Sequence, residues 1–229
     1  LSLPIVTHEQ GTRVGLANRI IGLLARRVAI SWAPTRSAFP LRLTVLTGNL
    51  LRSAIVHRRT RSPIRRPLLR PLIYVTGGNQ GSRVINQTLR QLLPQLTRRY
   101  VIVHQTGSAD FNQFSALSLR RYFPFSWLDD EQVSWCFHHA SLIISRAGAN
   151  TVTELAFTGA PAILIPLPKS QQNEQWHNAN LLTAAGTARI LLQAELTPLK
   201  LQTEIDFMMS HQSQLRRHSS AARRLVHAR

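Results

Sequence analysis

Short, wholly apolar runs, each followed by a turn and then a helical pattern, are the feature that most limits what this chain can fold into. Leu72-Ile73-Tyr74-Val75-Thr76, Tyr100-Val101-Ile102-Val103-His104, Leu142-Ile143-Ile144-Ser145 and Ala162-Ile163-Leu164-Ile165 are such runs, and Ala188-Arg189-Ile190-Leu191-Leu192 reads as a fifth. A strand that is apolar at every position is buried on both faces, which happens where helices cover both sides of a parallel sheet. The intervening segments fit. Val84, Ile85, Leu89, Leu92 and Leu93 recur at helical spacing, and further helices are expected near 131–140, 150–158 and 174–185. Strand and helix in alternation predict an α/β fold. No repeat of solenoid period is present.

Residues 1–56 read as strand, loop, helix, strand. The opening Leu1–Val6 reads as a strand already under way, so a preceding segment is expected to be missing. Val14, Leu16, Ile20, Leu23, Leu24 and Val28 recur at roughly helical spacing. Residues 57–71 hold six arginines and three prolines, a composition that builds no core and reads as a linker or exposed loop. Residues 72–196 carry the strand–helix pattern, and 197–229 read as one or two helices ending in a basic, Ser/Ala-rich tail.

The 229 residues are 44% hydrophobic, enough to bury a core. No apolar run reaches the ~18 residues that span a bilayer. Cys136 is the single cysteine, so no internal disulfide forms; between Trp135 and Phe137 it reads as a buried small hydrophobe. The net charge of +18 attracts phosphates of any kind without choosing among them. The excess is almost all arginine, since Lys169 and Lys200 are the only lysines, and a genome-wide bias accounts for it equally well. The nine histidines show no metal-site spacing, so no metal is expected. Asp129, Asp130 and Glu131 read as charges at a helix N-terminus rather than as glycosidase carboxylates.

In an open parallel sheet, ligands bind beyond the carboxyl ends of the strands, and three loops there are unusual. Gly77-Gly78-Asn79-Gln80-Gly81-Ser82 lets backbone N–H groups approach an anion at a helix N-terminus. Its spacing is not the G-x-G-x-x-G of dinucleotide-binding folds. Ser145-Arg146-Ala147-Gly148 leads into Ala149-Asn150-Thr151-Val152-Thr153-Glu154, where Glu154 can accept hydrogen bonds from two ribose hydroxyls. The third loop, Pro166 to Asn178, places the amides of Gln175 and Asn178 on one helical face, where they suit sugar hydroxyls. Each loop also reads as a plain strand-to-helix turn, with Glu154 complementing a helix dipole.

Taken together and in order, these segments resemble the family 28 bacterial glycosyltransferases that add GlcNAc to undecaprenyl-diphospho-MurNAc-pentapeptide in peptidoglycan synthesis. The resemblance rests on Val75 through Gln87, Ser145 through Glu154, Gly159 through Pro166 and Asn178 through Gly186. Upstream it rests on His8-Glu9-Gln10, Gly15 through Arg19 and Thr47-Gly48-Asn49 through Arg52. It runs from about residue 3 to about 200. It implies a GT-B architecture: a Rossmann-like parallel-sheet donor domain in 72–196, and in 1–56 a remnant of a second, acceptor-side Rossmann-like domain. It implies inverting transfer from UDP-N-acetylglucosamine without metal or cofactor, by a peripheral enzyme on the anionic cytoplasmic face of the bacterial plasma membrane, with no nucleic-acid partner.

Carried over residue by residue, the resemblance puts Glu154 on the ribose and Leu128 at the uracil. Arg52 and Asn79, with the backbone of Gly78, Gln80 and Gly81, lie at the diphosphate. Ala149, Asn150, Thr151, Val152 and Thr153 line the donor pocket, and Gln175 and Asn178 meet the sugar. No catalytic residue is assigned, because the family's glycine-rich acceptor-side loop with its histidine, where the base is expected, is absent from this sequence. Three departures stand out: Asn79 replaces a serine, Gly11 an asparagine, and Glu174 a histidine or glutamine. The alternatives are a GT-B transferase using another UDP-sugar and lipid acceptor, and a non-catalytic basic binding module.

Overall fold

The computed structural model describes residues 3–226. It contains two parallel sheets. The smaller is built from β1 (Val6–Glu9), β2 (Arg27–Ile30) and β3 (Thr44–Leu46), paired in that order. Helix α1 (Leu16–Leu24) crosses from β1 to β2, and the single turn α2 (Ser53–Val56) follows β3. Leu1 and Ser2 of the expected opening strand lie outside the described residues, and the strand itself starts at Val6.

The larger sheet begins with β4 (Leu72–Thr76), α3 (Arg83–Arg99), β5 (Val101–Gln105), α4 (Ser108–Ser115) and β6 (Tyr122–Phe125). It continues with α5 (Asp130–His139), β7 (Leu142–Ser145), α6 (Ala149–Thr158), β8 (Ala162–Leu164), α7 (Glu174–Ala184) and β9 (Ala188–Ile190). Its order is β6-β5-β4-β7-β8-β9, all parallel. The chain therefore builds outward from β4 in one direction, then returns and builds outward from β7 in the other. Helices α8 (Pro198–Ser210) and α9 (Gln212–Arg223) close the fold, and 227–229 of the expected tail lie outside the described residues.

Alternation along each strand splits the core in two. Ile73, Val75, Ile102, Ile144 and Ile163 pack on one face with Leu89 and Leu93 of α3 and Leu201 and Ile205 of α8. Leu72, Tyr74, Val103, Ile143 and Leu164 pack on the other with Val133 and Phe137 of α5, Val152 and Leu155 of α6, and Leu182 of α7. Trp32 and Ile55 reach into this second cluster, so the smaller unit shares its packing. Cys136 is fully buried there, and burial pushes its thiol well above the usual range.

Helix α1 departs from the usual amphipathic arrangement. Its packed face is Asn18, whose amide donates to the His8 carbonyl and the Glu9 carboxylate, and Gly22, which lies against the Phe39 ring. Leu16, Ile20, Leu23 and Leu24 face outward and are 57–80% exposed. The helical period in the sequence marks the helix but not its packed face.

Candidate nucleotide-sugar cleft

The order reverses between β4 and β7, and loops leaving neighbouring strands there run in opposite directions and open a crevice at the carboxyl edge of the sheet. A cleft of about 290 Å³ occupies that place. Its floor is Thr76 and Gln105, the last residues of β4 and β5, with Tyr74 and Phe137 behind them. Gly78 and Asn79 form one wall, Asn150, Thr151 and Glu154 the opposite one, and Trp127, Leu128 and Asp130 the third.

The glycine turn is shaped by three demands. Gly77 is packed so tightly that a Cβ would lie 2.2 Å from the Ser82 nitrogen. Gly78 adopts φ +86°, and its missing Cβ would meet nothing within 4 Å, so this position leaves open space. Its N–H donates to Thr76 Oγ1 at 3.0 Å. Gly81, at φ +76°, presses against the Thr106 carbonyl, where a Cβ would be 1.9 Å away. Beneath the turn, Asn86 donates to the Thr106 carbonyl and Asp110 and meets His104, which also bonds Tyr122. Burial lowers the His104 pKa to about 3, so this network is held by a neutral imidazole.

Glu154 is the charged group at the base of the opposite wall. It is 2% exposed on the second turn of α6, and Arg52 Nη1 donates to both of its oxygens, at 2.8 and 2.7 Å. The Arg52 Nε lies 3.0 Å from Asp130 Oδ1, so one guanidinium spans two carboxylates from different elements. Burial pushes Glu154 up to about 7; Arg52 opposes that shift, and Asp130 adds to it. The ion pair is thus too weak to offset the desolvation of a carboxylate this deep.

Helices α3 and α6 both start beside the cleft, and neither has a side-chain cap at its N-terminus. Helix α5 differs, with a capping box between Asp129 and Gln132. Uncapped first turns leave N–H groups available to an anion or hydroxyl.

Of the residues singled out from sequence, Arg52, Gly78, Asn79, Leu128, Asn150, Thr151 and Glu154 surround the cleft. Gln80, Gly81, Ala149, Val152, Thr153, Gln175 and Asn178 do not line it. Val152 points into the core, as the inward position of α6. Thr153 is buried and bonded to the Ala149 carbonyl and to Asn49, which also donates to Asn150 at 2.8 Å. Gln175 accepts from the N–H groups of Ala147 and Leu167, tying the loop after β7 to the loop after β8. Asn178 is fully buried beneath Ala147, to whose carbonyl it donates. Thr76, Gln105 and Trp127 also line the cleft and are not among the residues the sequence singles out. Their signal is positional, two strand ends and one exposed tryptophan, and it requires the strand order to be read.

Two departures from the family pattern are neighbours in space. A Cβ on Gly11 would lie 3.2 Å from Glu174 Cγ and 3.3 Å from its Oε1. The longer acid thus fills room that a residue larger than glycine at position 11 would take. Glu174 lines a second cavity of about 200 Å³, together with Glu9, Arg13 and Asn18. Glu9 is already engaged there, accepting from the N–H groups of Gly11 and Gly15 and from Asn18.

The model of the glycosyltransferase family 28 C-terminal domain matches residues 72–228. The chain belongs to glycosyltransferase family 28. Among similar relatives are the UDP-N-acetylglucosamine–N-acetylmuramyl-(pentapeptide) pyrophosphoryl-undecaprenol N-acetylglucosamine transferases of Trichodesmium erythraeum and Syntrophotalea carbinolica. Each is 34% identical, over 99% and 97% of this family 28 chain. The chain spans 60% and 62% of the length of those two relatives. The crystal structure of Acinetobacter baumannii MurG matches with a TM-score of 0.74 at 27% identity, over 97% of this chain and 63% of that one. The two parallel sheets are accordingly the Rossmann-like sheets of a GT-B fold.

Proposed function

We propose that residues 72–196 are the donor domain, and 1–56 part of the acceptor-side domain, of a transferase moving GlcNAc from UDP-GlcNAc to undecaprenyl-diphospho-MurNAc-pentapeptide. The observation that carries this reading is the buried Glu154 carboxylate at the base of a cleft on the sheet's switch point, facing a glycine turn. A carboxylate there accepts from both hydroxyls of a ribose, and such charge-assisted bonds are about twice as strong as neutral ones. Gly78 leaves room for a phosphate against backbone N–H groups. Leu128 offers an apolar surface and its backbone to the uracil. In this reading Arg52, bonded to Glu154 and Asp130 at the cleft, also neutralises the diphosphate as the C1–O bond breaks, stabilising charge that develops in the transition state. Gln175 and Asn178 act from behind, holding the loops after β7 and β8.

The site of action in this reading is the cytoplasmic face of the bacterial plasma membrane, approached as a peripheral protein. Among the described residues no helix is long and apolar enough to cross a membrane. The net charge of +18 favours an anionic surface.

Calorimetric titration of the 229-residue chain with UDP-GlcNAc, UDP-GalNAc and UDP tests the reading. UDP-GlcNAc is expected to bind most tightly, and Glu154→Ala to weaken it roughly tenfold or more, from loss of a charged acceptor. Equal affinity for the three ligands would remove the sugar assignment. Unchanged affinity in the variant would remove the ribose contact.

A further inference from the structure

At the opposite end of the large sheet, around the amino ends of β5 and β6, four arginines converge on a cavity of about 160 Å³. Arg66 and Arg70 come from the proline-rich connection before β4, and Arg120 and Arg121 from the turn into β6. The apolar side is Ile64, Val101 and Phe123. No carboxylate lines the cavity. Among the described residues the side chains of Arg66, Arg70 and Arg120 have no hydrogen bond or ion pair, unlike Arg61, which pairs with Asp129 and Glu131. Arg121 is held in place: its Nη1 donates to the Thr97 carbonyl at 3.1 Å, at the carboxyl end of α3, and its backbone sits at φ +83°. A non-glycine residue in that region is strained and persists only where its surroundings fix it. Gathering four like charges around one small space without a counter-charge is unfavourable, and a ligand carrying two or more negative charges reverses the sign of that interaction.

We propose that this cavity is a second anion site, distinct from the nucleotide-sugar cleft, that takes a multiply charged phosphate group. Guanidinium groups bind phosphate oxygens in pairs, and several planar donors around one space match a phosphate better than a single carboxylate. The apolar side accommodates whatever carbon body the phosphate carries. That body belongs either to a lipid headgroup or to a small soluble phosphate. The site lies at the amino ends of the strands, so its occupant does not compete for the cleft at their carboxyl ends.

The test uses inorganic pyrophosphate, titrated calorimetrically into the whole chain and into two double variants, neither of which touches the cleft. It also uses phosphatidylcholine vesicles with and without phosphatidic acid, whose headgroup is a phosphate monoester able to carry two charges, read by sedimentation. Arg70→Gln/Arg120→Gln removes two exposed side chains that hold nothing else. Arg58→Gln/Arg59→Gln removes the same charge outside the cavity. Pyrophosphate affinity that falls tenfold or more in the first pair and less than twofold in the second assigns a soluble phosphate. Vesicle binding that needs phosphatidic acid and shows the same split, without pyrophosphate binding, assigns the headgroup. Equal losses in both pairs, no loss in the first pair, or no binding of either probe would overturn the site. None of the four substituted arginines lines the cleft, so failure of the donor assignment and failure of this one are separate results.

Discussion

Glu154 shows how a single residue sets function against stability. Its folded-state pKa, about 7, lies above the ordinary carboxylate value, so between those two pH values the folded chain binds more protons than the unfolded one. Stability from this group is therefore full at acid pH and is lost as pH rises through 7. Glu154→Gln removes that slope. The melting temperature of the variant relative to wild type should increase from pH 5 to pH 8 in thermal unfolding, and a constant difference would deny the shift. Ribose recognition has the opposite dependence, because the ionised form is the acceptor: UDP affinity should fall as pH drops below about 7. Gly81 is a second case. Alanine there meets the Thr106 carbonyl at 1.9 Å and inherits a positive φ. Gly81→Ala should cost more than the roughly 1 kcal/mol typical of point substitutions, read by denaturant melts.

Helix α5 carries Asp130, Val133 and Phe137 into the cleft, and its start is secured by the Asp129–Gln132 capping box. Asp129→Ala should destabilise the chain by about 1 kcal/mol, with the cap contributing most of it, since the Arg61 pair is exposed and such pairs contribute little. The elements differ in how far they could be read in advance. The core strands β4, β5, β7 and β8 are legible because they are apolar on both faces. Strand β6 is not, because Pro124 interrupts Tyr122-Phe123-Pro124-Phe125. The fold admits a proline there only because β6 is an edge strand, where one side of the backbone needs no ladder partner. At the end of β9, Leu191 and Leu192 prolong the apolar run but lie beyond the strand, which stops at Ile190. In the cleft, Gly78 and Asn79 are legible because they sit in a loop whose composition is odd for its place, and Glu154 because it is an acid on a helix that such a loop leads into. Gln105 and Trp127 are not, since they reach the cleft only through a strand order that sequence spacing does not encode. Gln175 and Asn178 illustrate the limit from the other side: helical spacing puts their amides on one face, but which face turns inward is decided by packing under Ala147.

At the scale of the molecule, the smaller unit is joined to the larger by a few specific contacts. Besides the packing of Trp32 and Ile55, these include Arg52 to Glu154 and Asp130, Asn49 to Asn150, Ser134 to the Ala54 carbonyl, and Arg13 to His177. Two of them involve residues on the cleft wall, so filling the cleft should be felt across the junction. Nucleotide binding should slow amide exchange in 49–56 as well as in the loops of the large sheet, and protection confined to the large sheet would show the junction to be indifferent. The outward stripe of α1 acts at this scale too. Leu16, Ile20, Leu23 and Leu24 give water an apolar strip on a chain otherwise rich in positive charge. Sedimentation velocity at rising concentration tests whether the strip draws copies together: a larger species that Ile20→Glu/Leu24→Glu abolishes is the expected outcome, and a constant sedimentation coefficient would show the strip to be inert. With that strip open to water, protein concentration becomes a variable to control: a dilution series separates the affinity of one chain from any effect of contact between copies.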